Sequence, residues 1–274
     1  MSAYLSFEWL KFGKRWMPRV IVVLLVGLTV LAFWGQGTRE GGRADLFLPR
    51  GWLAALSFAS FFAPFFWPVL GGSWAGNEYG WGTIRAVLTR RPNRIEHVLA
   101  ALAILLIGVA MGIVAILVTG SVAGIAVTAL TGNNVWTSGV WSNDFLTTLI
   151  KGILTAWYVS AFYLVLAYAA ATIFRSAAVG IAFGIGSTLA QFVLRGIFFD
   201  LGGVWKDIAL HFPVVYANSM ITQVVGGQLV PGTSLARITP EDPSAGQSLV
   251  ALAIYGAIFL ALALLAVRTR DVTA

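Results

Sequence analysis

Cysteine is absent from this 274-residue sequence, which excludes disulfides, thiolate nucleophiles and cysteine-ligated metals. Histidine is nearly absent as well, with only His97 and His211. Charge is scarce: 11% of residues are Asp, Glu, Lys or Arg, against 58% hydrophobic. The mean hydropathy of +0.84 is one that no ordinary water-soluble domain tolerates. The phosphate-cradling pattern G-x-x-x-x-G-K-[ST] is also missing, because the one Gly-Lys pair, Gly13-Lys14, is followed by Arg15. The composition describes an all-α integral membrane protein with no nucleotide-hydrolysing motif of its own.

What is present is a set of long apolar runs. A helix needs roughly 20 residues to cross a hydrocarbon core about 30 Å thick. Six runs approach this length, at 20–34, 52–70, 97–118, 145–172, 178–198 and 249–267. The first is short, and Pro18, Arg19 and Trp34 are expected at its interfaces. The chain therefore reads as one transmembrane domain over 1–274, with an amphipathic helix at 1–19, a polar loop at 72–95 and a long loop at 199–247.

In the first segment Leu5, Trp9, Phe12 and Trp16 share one face, while Ser6, Lys11, Lys14 and Arg15 lie largely elsewhere. This predicts an interfacial helix with its apolar side in lipid and its basic side at the headgroups. A secretory signal is the competing reading, but no A-x-A-like cleavage site follows Trp34 and five further apolar runs do.

Alternate loops differ in basic residues. One side carries Lys11, Lys14, Arg15, Arg19, Arg85, Arg90, Arg91, Arg94, Arg175, Arg268 and Arg270; the other carries the remaining seven of the 18. The positive-inside rule places the richer side, with both termini, in the cytoplasm of a cell (plasma or inner) membrane. The net charge of +7 is thereby assigned to topology and anionic lipid rather than to nucleic acid.

The polar loop between the second and third runs reads GNEYGWGTIRAVLTRRPNR, residues 76–94. Gly71, Gly72 and Gly76 are expected to loosen the exit from the second span, and a short amphipathic helix over 82–89 is expected to stop before Pro92. Its apolar edge is Ile84, Val87 and Leu88, with Arg85, Arg90 and Arg91 off that edge. On charge alone, a topology-setting loop that binds anionic lipid explains it equally well.

The pattern Glu78, Gly82-Thr83, Arg85, Val87-Leu88, Pro92 and Arg94 resembles the loop between the second and third of six spans in ABC-2 type transporter permeases. The resemblance extends in outline over the whole chain, but only this loop is motif-like. Many relatives place a lysine about seven residues beyond the arginine, where this sequence has Ala101. In that family the loop is a coupling helix that docks on a separate cytoplasmic ATPase. The resemblance thus implies a coupling role for Glu78, Gly82, Thr83, Arg85, Leu88 and Arg94. It also implies a prokaryotic membrane, a second permease subunit, identical or not, and ATP and Mg held by the partner ATPase.

Two other classes compete. An intramembrane enzyme would use Ser73 with His97, but Gly71-Gly72-Ser73-Trp74-Ala75 misses the G-x-S-x-G elbow at its last residue. The two histidines are assigned to opposite faces, so no metal site is expected. An ion-coupled transporter or channel would need ionisable groups deep in the membrane. Lys151 and Arg195 lie within apolar runs but near their outer ends, with Asp144 and Asp200 as expected partners. With Gln191 they are the candidate pathway or outer-gate residues; snorkelling and helix packing are the plain alternatives.

The 199–247 loop contains an apolar stretch too short to span, from which a re-entrant or interfacial helical pair is expected, buried in protein or lining a cavity. Gly108 and Gly112, and Gly180, Gly184 and Gly186, allow close helix contact within or between chains. Pro64 and Pro68 are expected to bend the second span. The best reading is a six-span permease exporting a hydrophobic or amphipathic compound such as an antibiotic, peptide or lipid-like molecule; a non-exporting sensor or resistance complex on the same scaffold is its nearest variant.

Overall fold

The computed structural model describes residues 2–38, 46–82, 93–130, 143–226 and 242–269. Among them the chain is all-helical: α1 (Ser2–Lys14), α2 (Trp16–Gly37), α3 (Arg50–Gly80), α4 (Arg94–Leu130), α5 (Asn143–Phe174), α6 (Ala177–Leu201), α7 (Gly203–Leu210), α8 (Pro213–Ile221) and α9 (Ala245–Thr269). Six of these, α2 to α6 and α9, are long and apolar enough to cross a membrane. The protein is a multi-pass membrane protein.

Every span is longer than its apolar run suggests. The second run ends at residue 70, yet α3 continues to Gly80, 31 residues in all, or about 46 Å at 1.5 Å per residue. The expectation that Gly71, Gly72 and Gly76 loosen this exit is therefore wrong. These glycines are buried where helices meet: a Cβ on Gly71 would lie 2.4 Å from the Leu164 carbonyl oxygen of α5, and one on Gly76 would lie 2.1 Å from the Ala177 amide nitrogen of α6. Small residues let backbones approach, and the tertiary contact outweighs the weak helix propensity of glycine. The polar loop assigned to 72–95 is helical through residue 80 and again from 94.

The helix α5 is the centre of the bundle, with 72% of its apolar window buried, against 17% for α6 and for α9. The apolar outer faces of α6 and α9 are the surfaces that hydrocarbon covers in a membrane. Pro64 and Pro68 lie inside the continuous α3. Gly108 meets the Phe12 ring of α1 and Gly112 the Trp67 ring of α3, so both serve contacts within one chain; Gly180 and Gly184 likewise pack on α5 and α3, while Gly186 meets nothing within 4 Å.

Between the last two spans, α7 and α8, extended through a π-helical turn at Thr222–Gly226, form a pair bent by 63°. Six buried residues of α8, from Val214 to Met220, sink this element into the bundle, as the short apolar stretch requires. Its N-terminus is held by Gln191 of α6, whose side-chain oxygen accepts from the Val214 amide at 3.0 Å.

Candidate functional site

At the opposite end of the bundle from α8, α1 lays a charged stripe against the spans. The helix ends because Arg15 is extended and Pro18 lacks the amide that would bond to Lys14. One face then carries Tyr4, Glu8, Lys11, Phe12 and, just beyond the helix, Arg15, at helical spacing. This face points inward. Glu8 is completely buried and Tyr4 is 4% exposed, whereas Trp9 and Trp16 are at the surface. The headgroup role assigned to Lys11 and Arg15 is corrected accordingly, and Phe12, expected on the lipid side, packs instead against Trp74 and Gly108, while Trp9 and Trp16 are exposed.

The contacts form one connected cluster. Lys11 Nζ donates to both Glu8 oxygens at 2.8 Å and to Glu78 Oε1. Trp74 Nε1 donates to Glu8 Oε2 at 2.8 Å. A carboxylate only accepts, so His97 donates through Nε2 to Glu78 Oε2, 2.8 Å away. The Tyr4 and His97 rings lie 5.9 Å apart. The Lys11 ammonium and the Arg15 guanidinium sit 4.7 and 4.4 Å from the Trp74 ring centroid, each in cation–π range. Burial pulls the Arg15 guanidinium below its ordinary value, while Glu78 and Glu8 act in the opposite direction.

The carboxylates of Glu8 and Glu78 face two cations, Lys11 and Arg15, so these four charges balance. This is the condition under which burial of charge is tolerated. Glu8, Glu78 and His97 also bring one donor atom each within 4.8 Å of one another. That set of two oxygens and one nitrogen suits a divalent transition metal. The Lys11 ammonium, bonded to both carboxylates, already supplies the compensating positive charge.

The arrangement has a mechanical consequence. Glu78 lies near the end of α3 and His97 in the first turn of α4, so their bond clamps the two stems of the segment between them. Lys11 fastens α1 to the same clamp. At the mouth of the segment Arg94 donates to the Val267 carbonyl of α9 at 3.2 Å. Gly82, at φ +65°, turns the chain away beyond the end of α3, a conformation that favours glycine. The described ends of this segment are thus tied to α1, α3, α4 and α9.

The motif residues divide accordingly. Glu78 and Arg94 are tied into the protein, Gly82 shapes the turn, and Thr83, Arg85 and Leu88 lie outside the described residues, as does most of the expected helix over 82–89. Ser73 donates its hydroxyl to the Leu70 carbonyl at 3.1 Å, and His97 is engaged by Glu78, so neither is aimed at the other. Arg195 pairs with Asp242 at 3.0 Å, not with Asp200 as expected, because Asp242 stands just before α9 beside α6. Gln191 caps α8 and Lys151 is exposed. His211 sits between α7 and α8, its ring bonded to the Asp207 carbonyl at 2.8 Å.

Sequence reasoning missed the roles of Glu8, Lys11, Trp74 and His97. The available signal was Glu8: an acid on the same stripe as Tyr4, Lys11 and Arg15 cannot lie against hydrocarbon, so that stripe had to face protein. No match to this chain was found among curated proteins. Residues 20–273 match the family described as "Protein of unknown function (DUF2705)", and the chain belongs to that family.

Proposed function

We propose that this protein is the membrane-spanning subunit of an ATP-driven transporter, coupled through residues 76–94 to a cytoplasmic ATPase, and that it moves a hydrophobic or amphipathic compound outward. The observation that carries the reading is the clamp: the glutamate of the motif joins α1 and α4 at the base of α3, so the segment it flanks acts as a lever on the bundle. A loop that only bound anionic lipid would need charge and no such anchorage, each arginine contributing about 1 kcal/mol interchangeably. ATP and Mg belong to the partner, since the chain lacks a phosphate-binding loop. The lipid-facing arrangement of α6 and α9 is compatible with a second permease subunit, as the family resemblance implies.

The reading is tested by isolating the protein from its native membranes. A nucleotide-binding subunit should accompany it and hydrolyse ATP. Glu78→Ala and Gly82→Leu should each lose that subunit or its coupled turnover while still inserting, whereas Arg90→Lys with Arg91→Lys, which keeps the charge, should not. Equal behaviour of all variants, with only total charge mattering, would refute it.

A further inference from the structure

A groove of about 450 Å³ runs between α5, the end of α8 with its π-helical turn, and the first turns of α9. Met220, 6% exposed, lies at its floor, and Leu154 and Leu249, 59% and 46% exposed on the outside of the bundle, form its rims. It therefore opens to hydrocarbon. The rims are fastened to each other, because Tyr158 of α5 donates its hydroxyl to the Leu249 carbonyl of α9 at 2.7 Å.

One residue departs from this apolar lining. Lys151 of α5 also borders the groove, and since the walls are almost wholly carbon, it contributes its methylene stem and leaves the exposed ammonium at the edge. With α5 centred on a hydrocarbon core of about 30 Å, its 32 residues, about 48 Å, extend roughly 9 Å beyond the core at each end. Lys151 stands about 12 Å along the helix from Asn143, so its stem begins near the hydrocarbon boundary. Among the described residues no carboxylate pairs with it: Asp144, the partner expected from sequence, does not, and Asp242 before α9 is taken by Arg195 at 3.0 Å. A cation left without a counter-charge at this depth marks a functional site by default.

We propose that this groove binds a single-chain amphiphile with an anionic headgroup, its chain lying along Leu154, Met220 and Leu249 and its headgroup paired with the Lys151 ammonium. Charge complementarity sets the headgroup, and volume sets the chain. Benzene in an engineered cavity of about 150 Å³ corresponds to about 25 Å³ per carbon, so 450 Å³ holds on the order of eighteen carbons, one chain rather than two. Only the identification of the occupant as cargo rests on the permease reading; occupancy itself needs neither ATP nor a partner.

The test uses the purified full-length protein in nanodiscs of zwitterionic lipid, at mildly alkaline pH, with palmitic acid carrying a diazirine at mid-chain. After illumination, peptide mass spectrometry should find a saturable adduct within residues 151–158 or 245–249. Unlabelled palmitic acid should compete about fivefold better than methyl palmitate, which has the same chain without the charge, a ratio in keeping with one lysine at a membrane surface. Lys151→Met should erase that advantage, whereas Lys151→Arg should keep it. Should Lys151→Met fail to insert, Gly246→Trp gives an independent reading, because a Cβ at Gly246 meets nothing within 4 Å and the ring fills the groove without touching a charge. That variant should lose the adduct.

Equal competition by acid and ester in the parent overturns the proposal, leaving Lys151 as a lysine that merely reaches the headgroups. An adduct that does not saturate, or that falls elsewhere, overturns it in favour of general partitioning or of a groove closed by the chain itself. Competition by phosphatidylglycerol as strong as that by palmitic acid at equal mole fraction assigns the groove to a two-chain bilayer lipid and overturns it as well. None of these outcomes bears on whether an ATPase co-purifies, so the two readings fail separately.

Discussion

Replacing Lys11 by methionine should release α1 from the bundle. The ammonium is bonded to both oxygens of Glu8, which is completely buried, and to Glu78, which is 6% exposed. Breaking a buried pair from one side costs about 3–5 kcal/mol, because the remaining charge is left uncompensated. Arg15, which interacts with both carboxylates, takes up part of the loss, which favours the lower end. About 3 kcal/mol corresponds to roughly a 150-fold increase in the detached population, at 1.36 kcal/mol per tenfold. Tyr4→Cys supplies a buried reporter on the same face, and its maleimide labelling rate tracks that population when docking is fast relative to labelling. Adding Glu8→Gln to Lys11→Met removes one stranded carboxylate and should recover most of the protection. A labelling rate within about twofold of the Tyr4→Cys parent would refute the claim that this cluster holds α1 in place.

Two further outcomes are expected. Chelation with EDTA should leave the Tyr4→Cys labelling rate unchanged, since Lys11 rather than a metal neutralises the carboxylates; a large increase would show that Glu8, Glu78 and His97 hold an ion. Gly76→Leu should lower the thermal midpoint in detergent, followed by tryptophan fluorescence, by several degrees or prevent insertion, because even a Cβ at this position would lie 2.1 Å from the α6 backbone. The same change at Gly186, which has nothing within 4 Å, should be nearly neutral.

The spans were legible because length and hydropathy are averages over some twenty residues and survive local error. Their ends were not, because the extensions are built from residues that read as loop. In α3 the last ten residues include Gly71, Gly72, Gly76 and Gly80, and what keeps the first three helical is the close approach of α5 and α6. The bent α7–α8 pair was foreseen from its apolar but short stretch, since such backbone is stable only inside protein. The cluster around Glu8 was not foreseen because Glu8, Trp74 and His97 are 66 and 23 positions apart in succession and are joined only by packing. Arg195 shows the same limit: sequence proximity favoured Asp200, while the fold presents Asp242.

The central claim, that the segment between Glu78 and His97 is a handle for an ATPase, is tested most directly by a short-range crosslink. In the cysteine-free sequence, Arg85→Cys carrying a photoactivated crosslinker should, in native membranes, form one adduct with a protein that bears a phosphate-binding G-x-x-x-x-G-K-[ST] loop, and the yield should change when ATP is trapped by vanadate. An Arg85→Cys probe that crosslinks only to lipid, with the same yield whether or not nucleotide is trapped, would contradict the account.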